Sequence, residues 1–270
     1  MRASDASSNQ IILHGAYVCL RLPPEARGDV ARIEVPAMVE CLGLHNEFAP
    51  ADGDAHARGT VAFLRRVDAT PGAIADARLL HADAVVHVAA ASAAPVTGFC
   101  AQLKRRLGPA LAPRVLDGVL RPPSYTGAAM HDFAYARRVL QQPGTVMPHA
   151  FLAPTSKTGT WWAKDWMERH TYFLPRYDDA GSMRHQGHAL AAEAGIACLM
   201  RRTYKHAALP APPGAYDFIN YFECTDADVP KYHEVRAALR DVARNPEWQF
   251  VREGPTWHGR RVETWAELCE

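Results

Sequence analysis

A chain of 270 residues is long enough for one large domain or two fused smaller ones with a real core, and its 48% hydrophobic and 22% charged residues are those of a soluble globular protein. A formal net charge of +1, with no Lys/Arg run interleaved with aromatics, excludes nucleic-acid binding by bulk electrostatics. The apolar stretches are short and broken by His, Asp or Pro, so no membrane span is expected.

The six cysteines, Cys19, Cys41, Cys100, Cys198, Cys224 and Cys269, form no CxxC pair, which argues against a zinc knuckle or a thioredoxin-type site. Their scatter suits buried free thiols in a reducing compartment. Residues 1–10 are polar and lack the apolar core of a signal peptide, so they read as a flexible tail on a cytoplasmic protein.

In chain order, Ile11 to Arg21 is β-rich and predicts a first strand. Gly53 to Gly59 is a polar loop, Thr60 to Val67 a second strand and Asp83 to Ala89 a third. Pro95 to Leu107 sets Val96, Phe99, Cys100, Leu103 and Leu107 on one helical face, with Gly108 as the stop. Val115 to Leu120 predicts another strand, and a connector follows the Phe133–Leu140 segment with Pro143 and Pro148.

The second half repeats the order. Ala150–Ala153, Ile196–Tyr204 and Tyr216–Glu223 predict strands, Val229 to Val242 an amphipathic helix with Tyr232, Val235, Leu239 and Val242 on one face, and Phe250 to Arg252 a closing strand. The repeated strand-and-helix order predicts an α+β protein: two ferredoxin-like halves, 11–145 and 146–270, whose antiparallel sheets form a β-barrel flanked by helices. Neither GxGxxG nor GxxxxGK[ST] occurs, so a nucleotide loop is not expected.

Residue types that carry chemistry gather in the second half, which holds all six tryptophans. Trp161, Trp162 and Trp166 are core, an oligomer contact or an aromatic wall for a planar cofactor. Met183 to Gly195 reads as a helix that places His185 and His188 three apart on one face. No HExxH motif is present, whereas a haem needs only one axial His and an apolar slot. Strand alternation puts Arg201 and Thr203 on one face and Arg202 and Tyr204 on the other. An Arg turned into a barrel is costly unless an anion meets it.

These residues match a known pattern. Lys157-Thr-Gly-Thr-Trp161-Trp162 resembles the chlorite dismutase signature of a Lys followed by paired Trp. Thr203-Tyr204 with Tyr216–Glu223 resembles the family's central strand pair, and Asn245–Phe250 running to Gly259 its closing strand. The thirteen residues from His188 to Arg201 equal the family's spacing from proximal His to distal Arg. The resemblance covers about residues 145–260, and extends to the first half only in its general order of strands and helices.

The resemblance places the chain in the dimeric α+β barrel superfamily. It implies haem b on His188, with His185 as the alternative ligand. Lys157 would meet a propionate, Trp161, Trp162 and Tyr204 would border the haem, and Glu247 would hold the proximal His. It implies that chlorite becomes chloride and dioxygen through a ferryl intermediate, with Arg201 beside the bound anion. It also implies a homo-oligomer, a pentamer first, with the insertion around Ala163–Phe173 as a candidate contact. Ala153 stands where coproporphyrin-type members have Tyr, which argues against coprohaem decarboxylation. A haem peroxidase or oxygenase acting on another small substrate, a haem sensor or carrier without turnover, and a haem-free binding protein that keeps the shell are the competing readings.

Overall fold

The structure is a computed structural model that describes residues 14–35, 60–67, 81–90, 92–111, 113–120 and 147–270. The expected tail at 1–10, the loop at 53–59, the Phe133–Leu140 segment and the boundary at 145 with Pro143 lie outside the described residues.

In the first half the elements are β1 (His14–Leu20), α1 (Pro24–Ala31), β2 (Thr60–Arg66), β3 (Ala84–Ala90), α2 (Ala93–Leu107) and β4 (Arg114–Leu120). Their antiparallel order is β4-β1-β3-β2. The second half begins with β5 (His149–Lys157), α3 (Gly159–Ala163) and α4 (Trp166–Thr171). A small hairpin of β6 (Arg176–Tyr177) and β7 (Met183–His185) follows, then α5 (Gly187–Ala191), β8 (Met200–Lys205), β9 (Phe218–Cys224) and α6 (Val229–Arg240). Strands β10 (Val251–Glu253) and β11 (Trp257–Val262) and helix α7 (Trp265–Cys269) close the chain. The second half pairs in the order β8-β9-β5-β11. Each half is therefore the 4-1-3-2 arrangement of a ferredoxin-like unit.

Pairing of β4 with β8 and of β11 with β2 joins the two sheets edge to edge, and together they close an eight-stranded antiparallel barrel. Strand β10 extends the sheet along the far end of β5, with Val251 opposite Lys157. Closure removes the exposed strand edges that would otherwise template aggregation.

Alternation along the strands sorts the side chains into three apolar layers. Ala16, Val18, Leu20, Val86 and Val88 face outward under α2 and α7, against Val96, Phe99, Leu103, Trp265 and Leu268. Tyr17, Leu64, Val85, Leu152, Met200, Tyr204, Ile219, Tyr221 and Trp257 fill the barrel. Phe151, Phe222 and Cys224 face outward in the second half, under Tyr232, Val235 and Leu239 of α6. Strands β1 and β3 read as near-continuous apolar runs because both of their faces are covered. Each buried large apolar side chain contributes about 1.5–3 kcal/mol.

The main strands and the two long helices fall where sequence periodicity puts them, within a few residues. Val242, assigned to the apolar face of α6, lies beyond its end and is exposed. Helices α1 and α7 were not anticipated, and strand β11 was met only in part, where the resemblance runs the closing strand to Gly259. Only Val30 of α1 is buried, and β11 reads Trp-His-Gly-Arg-Arg-Val because its inward residues include Gly259 and Arg261. Among the described residues, no helix is long and apolar enough to cross a membrane.

Gly15 is required by packing. A Cβ built there would lie 2.4 Å from Cε1 of Tyr204, whose ring crosses the barrel from β8 to β1. Gly15→Ala should destabilise the protein by about 1–3 kcal/mol through this overpacking. Equilibrium urea unfolding measures it, and an unchanged midpoint would show that the Tyr204 ring is free to move aside.

Candidate active site

The outer face of the second half gathers most of the residues that the sequence singles out. Lys157 ends β5, and Thr158 caps α3: its backbone O and Oγ1 accept from the Trp161 N–H at 3.0 and 3.4 Å. The cap turns Trp161 into the protein, where it is 4% exposed and its ring lies 4.2 Å from the Lys157 ammonium. Trp162 is fixed differently: its Nε1–H donates to Asp217 Oδ2 at 3.1 Å. Asp217, 2% exposed, also accepts from the backbone N–H groups of Lys157 at 2.7 Å and Ala211 at 2.6 Å. Three donors keep the buried carboxylate satisfied and tie the end of β5 to the loop before β9.

The segment before His188 departs from expectation. Met183–His185 is a strand of the small hairpin, and the helix starts only at Gly187. Gly187 has φ +66°, and a Cβ there would meet the Leu174 carbonyl oxygen at 2.5 Å, so the backbone turns sharply between the two histidines. His185 and His188 therefore share no helical face. His185 Nδ1 bonds the Ala243 carbonyl at 3.0 Å. The start of α5 leans on the insertion: His188 N–H donates to Tyr172 O at 3.1 Å and Ala189 N–H to Phe173 O at 3.2 Å. These carbonyls satisfy donors that a helix N-terminus leaves open.

Glu247 joins the two basic side chains. It sits in the 3-10 turn Pro246–Phe250, 3% exposed, and its carboxylate takes Lys157 Nζ on Oε1 and His188 Nδ1 on Oε2, the latter at 2.8 Å. The turn is held in place by Phe250 O, which accepts from Thr158 N–H at 2.9 Å, and by Asn245, whose side chain donates to Leu239 O at 2.8 Å. Burial raises the Glu247 carboxyl, but the Lys157 ammonium and the His188 ring that bonds it outweigh this and hold the group well below the usual carboxylate range. An ionised Glu247 fixes the proton on His188 Nδ1 and leaves the Nε2 lone pair for a ligand. The His188 side chain is 26% exposed.

This donor chemistry fits a haem. Among the described residues, no group of three or more His, Cys, Asp or Glu side chains is placed to hold a metal ion. A porphyrin iron brings four nitrogens of its own and asks the protein for one axial imidazole backed by a carboxylate. Lys157 Nζ meets Glu247, which makes Lys157 part of the support of His188.

Arg201 and Thr203 lie on the outer face of β8, as alternation predicts. Thr203 Oγ1 bonds Asn220 Oδ1 at 3.2 Å, and Asn220 Nδ2 donates to Thr155 Oγ1 at 3.1 Å. A polar strip thus crosses β8, β9 and β5 on the face that carries Arg201 and Lys157. Tyr204 does not belong to it. Fully buried, it points into the barrel, with its ring centroid 5.8 Å from that of Tyr17. The sheet itself separates it from His188, so its assignment to the cofactor is corrected.

Sequence reasoning missed Asp217, although an acid beside the aromatic run of β9 is a signal that a neighbouring indole or backbone donor needs an acceptor. It also missed His149 and His258, whose ring nitrogens lie 2.9 Å apart beside Asp226 and Arg260. Burial, then His149 and His233, push His258 down to about 4, so it stays neutral at ordinary pH.

Glu247 yields a pH prediction. Its folded pKa lies below the unfolded value of about 4.3, so its stabilisation is complete above that value and is lost as pH falls through and below it. Glu247→Gln should lower stability at pH 7 by about 3–5 kcal/mol, because Lys157 is left buried without its carboxylate. It should also flatten the acid limb below pH 5, as read by unfolding midpoints across pH. An acid limb identical to that of the unaltered chain would remove Glu247 as its source.

No family model matches the chain, and no curated protein matches it. Solved structures do. A single-tryptophan variant of chlorite dismutase from Candidatus Nitrospira defluvii, in complex with cyanide, is 20% identical with a TM-score of 0.63, over 96% of this chain and 93% of that one. The same enzyme in complex with imidazole is 21% identical with a TM-score of 0.62, over 95% of this chain and 93% of that one. An arginine-to-alanine variant of it is 21% identical with a TM-score of 0.63, over the same shares. Both halves, and not the second half alone, therefore have the fold of the chlorite dismutases.

Proposed function

We propose that the chain is a haem b-dependent oxidoreductase of the chlorite dismutase family that converts chlorite to chloride and dioxygen. The observation that carries the reading is the buried Glu247 carboxylate shared by Lys157 and His188, an arrangement with one open imidazole nitrogen as its product.

His188 would hold the haem through Nε2, with its tautomer and ring plane set by Glu247. The ionised carboxylate makes the imidazole a stronger donor, as carboxylate partners of metal-binding histidines do. Lys157 keeps Glu247 ionised and is itself shielded by the Trp161 ring. Trp162, anchored through Asp217, stands at the cofactor's border. A bound haem would supply redox-active iron for the chemistry of a small oxyanion. Arg201, half-buried on the outer face of β8, would offer a planar cationic fork to that anion. The polar strip of Thr203, Asn220 and Thr155 holds the sheet surface beside it rigid.

Assembly belongs to the same reading. The insertion turns Tyr172 and Phe173 inward but exposes Trp166 at 70% and Met167 at 63%, and the hairpin that follows exposes Tyr177 at 56% and Met183 at 46%. Apolar exposure gathered on one segment marks an interaction surface, and we assign it to a homo-oligomer, a pentamer first. A monomer mass in light scattering at micromolar concentration would remove this assignment.

Two variants test the site. His188→Ala should lose most bound haem, read as loss of the Soret band, whereas His185→Ala should retain it. Arg201→Ala should keep a near-native resting spectrum yet lose on the order of a hundredfold or more of oxygen release from chlorite, measured with an oxygen electrode. Arg201→Lys should recover only part, because a point charge lacks the planar fork. A haem-loaded, unaltered protein that releases no oxygen from chlorite would end the chlorite reading and leave peroxide-driven oxidation of another small substrate, or haem carriage, on the same residues.

A further inference from the structure

The barrel interior holds a polar cluster that the proposed function does not use. Arg202 of β8 points inward and is 1% exposed, and its Nε and Nη2 have no hydrogen-bond partner. Opposite it in register is Tyr221 of β9, whose hydroxyl donates to Glu223 Oε1 at 2.5 Å. Arg261 enters from β11 and donates to the same Oε1 at 2.6 Å. Tyr17 and His87 complete the cluster with rings stacked at 4.5 Å, and the centroid of Tyr17 is 5.3 Å from that of Tyr221. All of these side chains except Arg261 are essentially inaccessible to solvent.

The cluster is short of acceptors and of negative charge. Tyr17 Oη, His87 Nδ1 and two nitrogens of Arg202 lack partners, against one orphan acceptor, Glu223 Oε2. His87 Nδ1 is a donor in the tautomer whose Nε2 accepts from the Tyr204 hydroxyl, 3.5 Å away. Among the described residues of the cluster, two guanidinium charges, from Arg202 and Arg261, meet one carboxylate, Glu223, a balance of +1. The other described groups of the cluster do not cancel it. Burial, followed by the two arginines, holds His87 well below the ordinary histidine value, so it stays neutral. Burial also raises Tyr17 and Tyr221 well above theirs, so neither supplies an anion. A buried charge left without compensation costs several kcal/mol, and an eight-stranded barrel is just wide enough to hold one small ligand beside its side chains.

We propose that the barrel interior binds one small monovalent inorganic anion of halide size, held by the Arg202 guanidinium and the Tyr17 hydroxyl, with His87 beside it. The site lies across the sheet from His188 and is independent of the haem reading. Single charge follows from the net +1, and small size from a closed barrel already lined by Tyr17, Tyr204, Tyr221 and Trp257.

Bromide is the probe. Crystals of the full chain grown in sodium bromide should show an anomalous peak inside the barrel within about 3.5 Å of the Arg202 guanidinium, a hydrogen-bonding distance for a large anion. Only water density there overturns the proposal. In solution, the unfolding midpoint should rise with the logarithm of bromide concentration at constant ionic strength set with sodium glutamate. The rise should be on the order of 5 °C at a hundredfold excess over Kd. Arg202→Met should abolish the rise. Should that variant fail to fold, Tyr17→Phe keeps the ring and removes one donor, and should need several-fold more bromide for the same shift. A flat response in the unaltered chain, or equal responses in the chain and its Tyr17→Phe variant, overturns the proposal.

Discussion

Glu247 brings a negative charge into a place with almost no water, and the surrounding architecture keeps it there. Moving a carboxylate from water into a protein interior costs several kcal/mol unless charge and hydrogen bonds are both supplied. Lys157 and His188 supply them from opposite sides in sequence, one at the end of a barrel strand and one on a short helix after an insertion. The three groups are 90 and 59 residues apart in pairs, so the site exists only when β5, α5 and the turn after α6 are all in place. The bond from Thr158 N–H to Phe250 O and the bonds from Gln186 and Gly187 N–H to Arg244 O are the clamps that bring them together. The carboxylate is thus both a structural liability and the reason that His188 offers one defined nitrogen.

Strand β8 shows how one short sequence serves two chemistries. Met200, Arg202 and Tyr204 are buried while Arg201, Thr203 and Lys205 are half-buried, so two adjacent arginines are sent to opposite sides of one sheet. Period-two alternation was legible in the sequence and gave the right partition of Arg201 from Arg202. Which face was the barrel interior was not legible, because that depends on strand pairings contributed by both halves. Tyr204 was grouped with the cofactor through the resemblance, although alternation already set it opposite Arg201: Thr203 faces the site, and Tyr204 faces away from it.

Much of the fold could be read because long apolar runs and the amphipathic α2 are strong local signals. The spacing from His188 to Arg201 could be read because it spans one short connection. The insertion obscured what precedes it. Met183–Gly195 carries helix-forming residues, yet the backbone at Gly187 must take a positive φ to clear the Leu174 carbonyl, and only the folded insertion creates that constraint. The Lys157–Glu247 contact was equally hidden, since strand β10 has to pair with β5 before the preceding turn can deliver Glu247 to the lysine. Contacts made by closing distant strands leave no local trace in the sequence.

The same closure connects the first half to a site whose named residues all lie in the second. Tyr204 shares its strand with Arg201, and its ring lies over Gly15 of β1, where no larger residue fits without displacement. Gly118 of β4 is the next neighbour: a Cβ there would press on the Lys205 carbonyl at 2.7 Å and on Tyr204 Cβ at 3.1 Å. Two glycines of the first half therefore set how closely β8 approaches β1 and β4, and so where the outward-facing Arg201 is held. A side chain at either glycine would push β8 outward and move the guanidinium with it, although neither residue is on the face that carries His188. In a closed barrel the inward packing of a strand and the outward aim of its side chains are one constraint, and the first half acts on the site through that constraint.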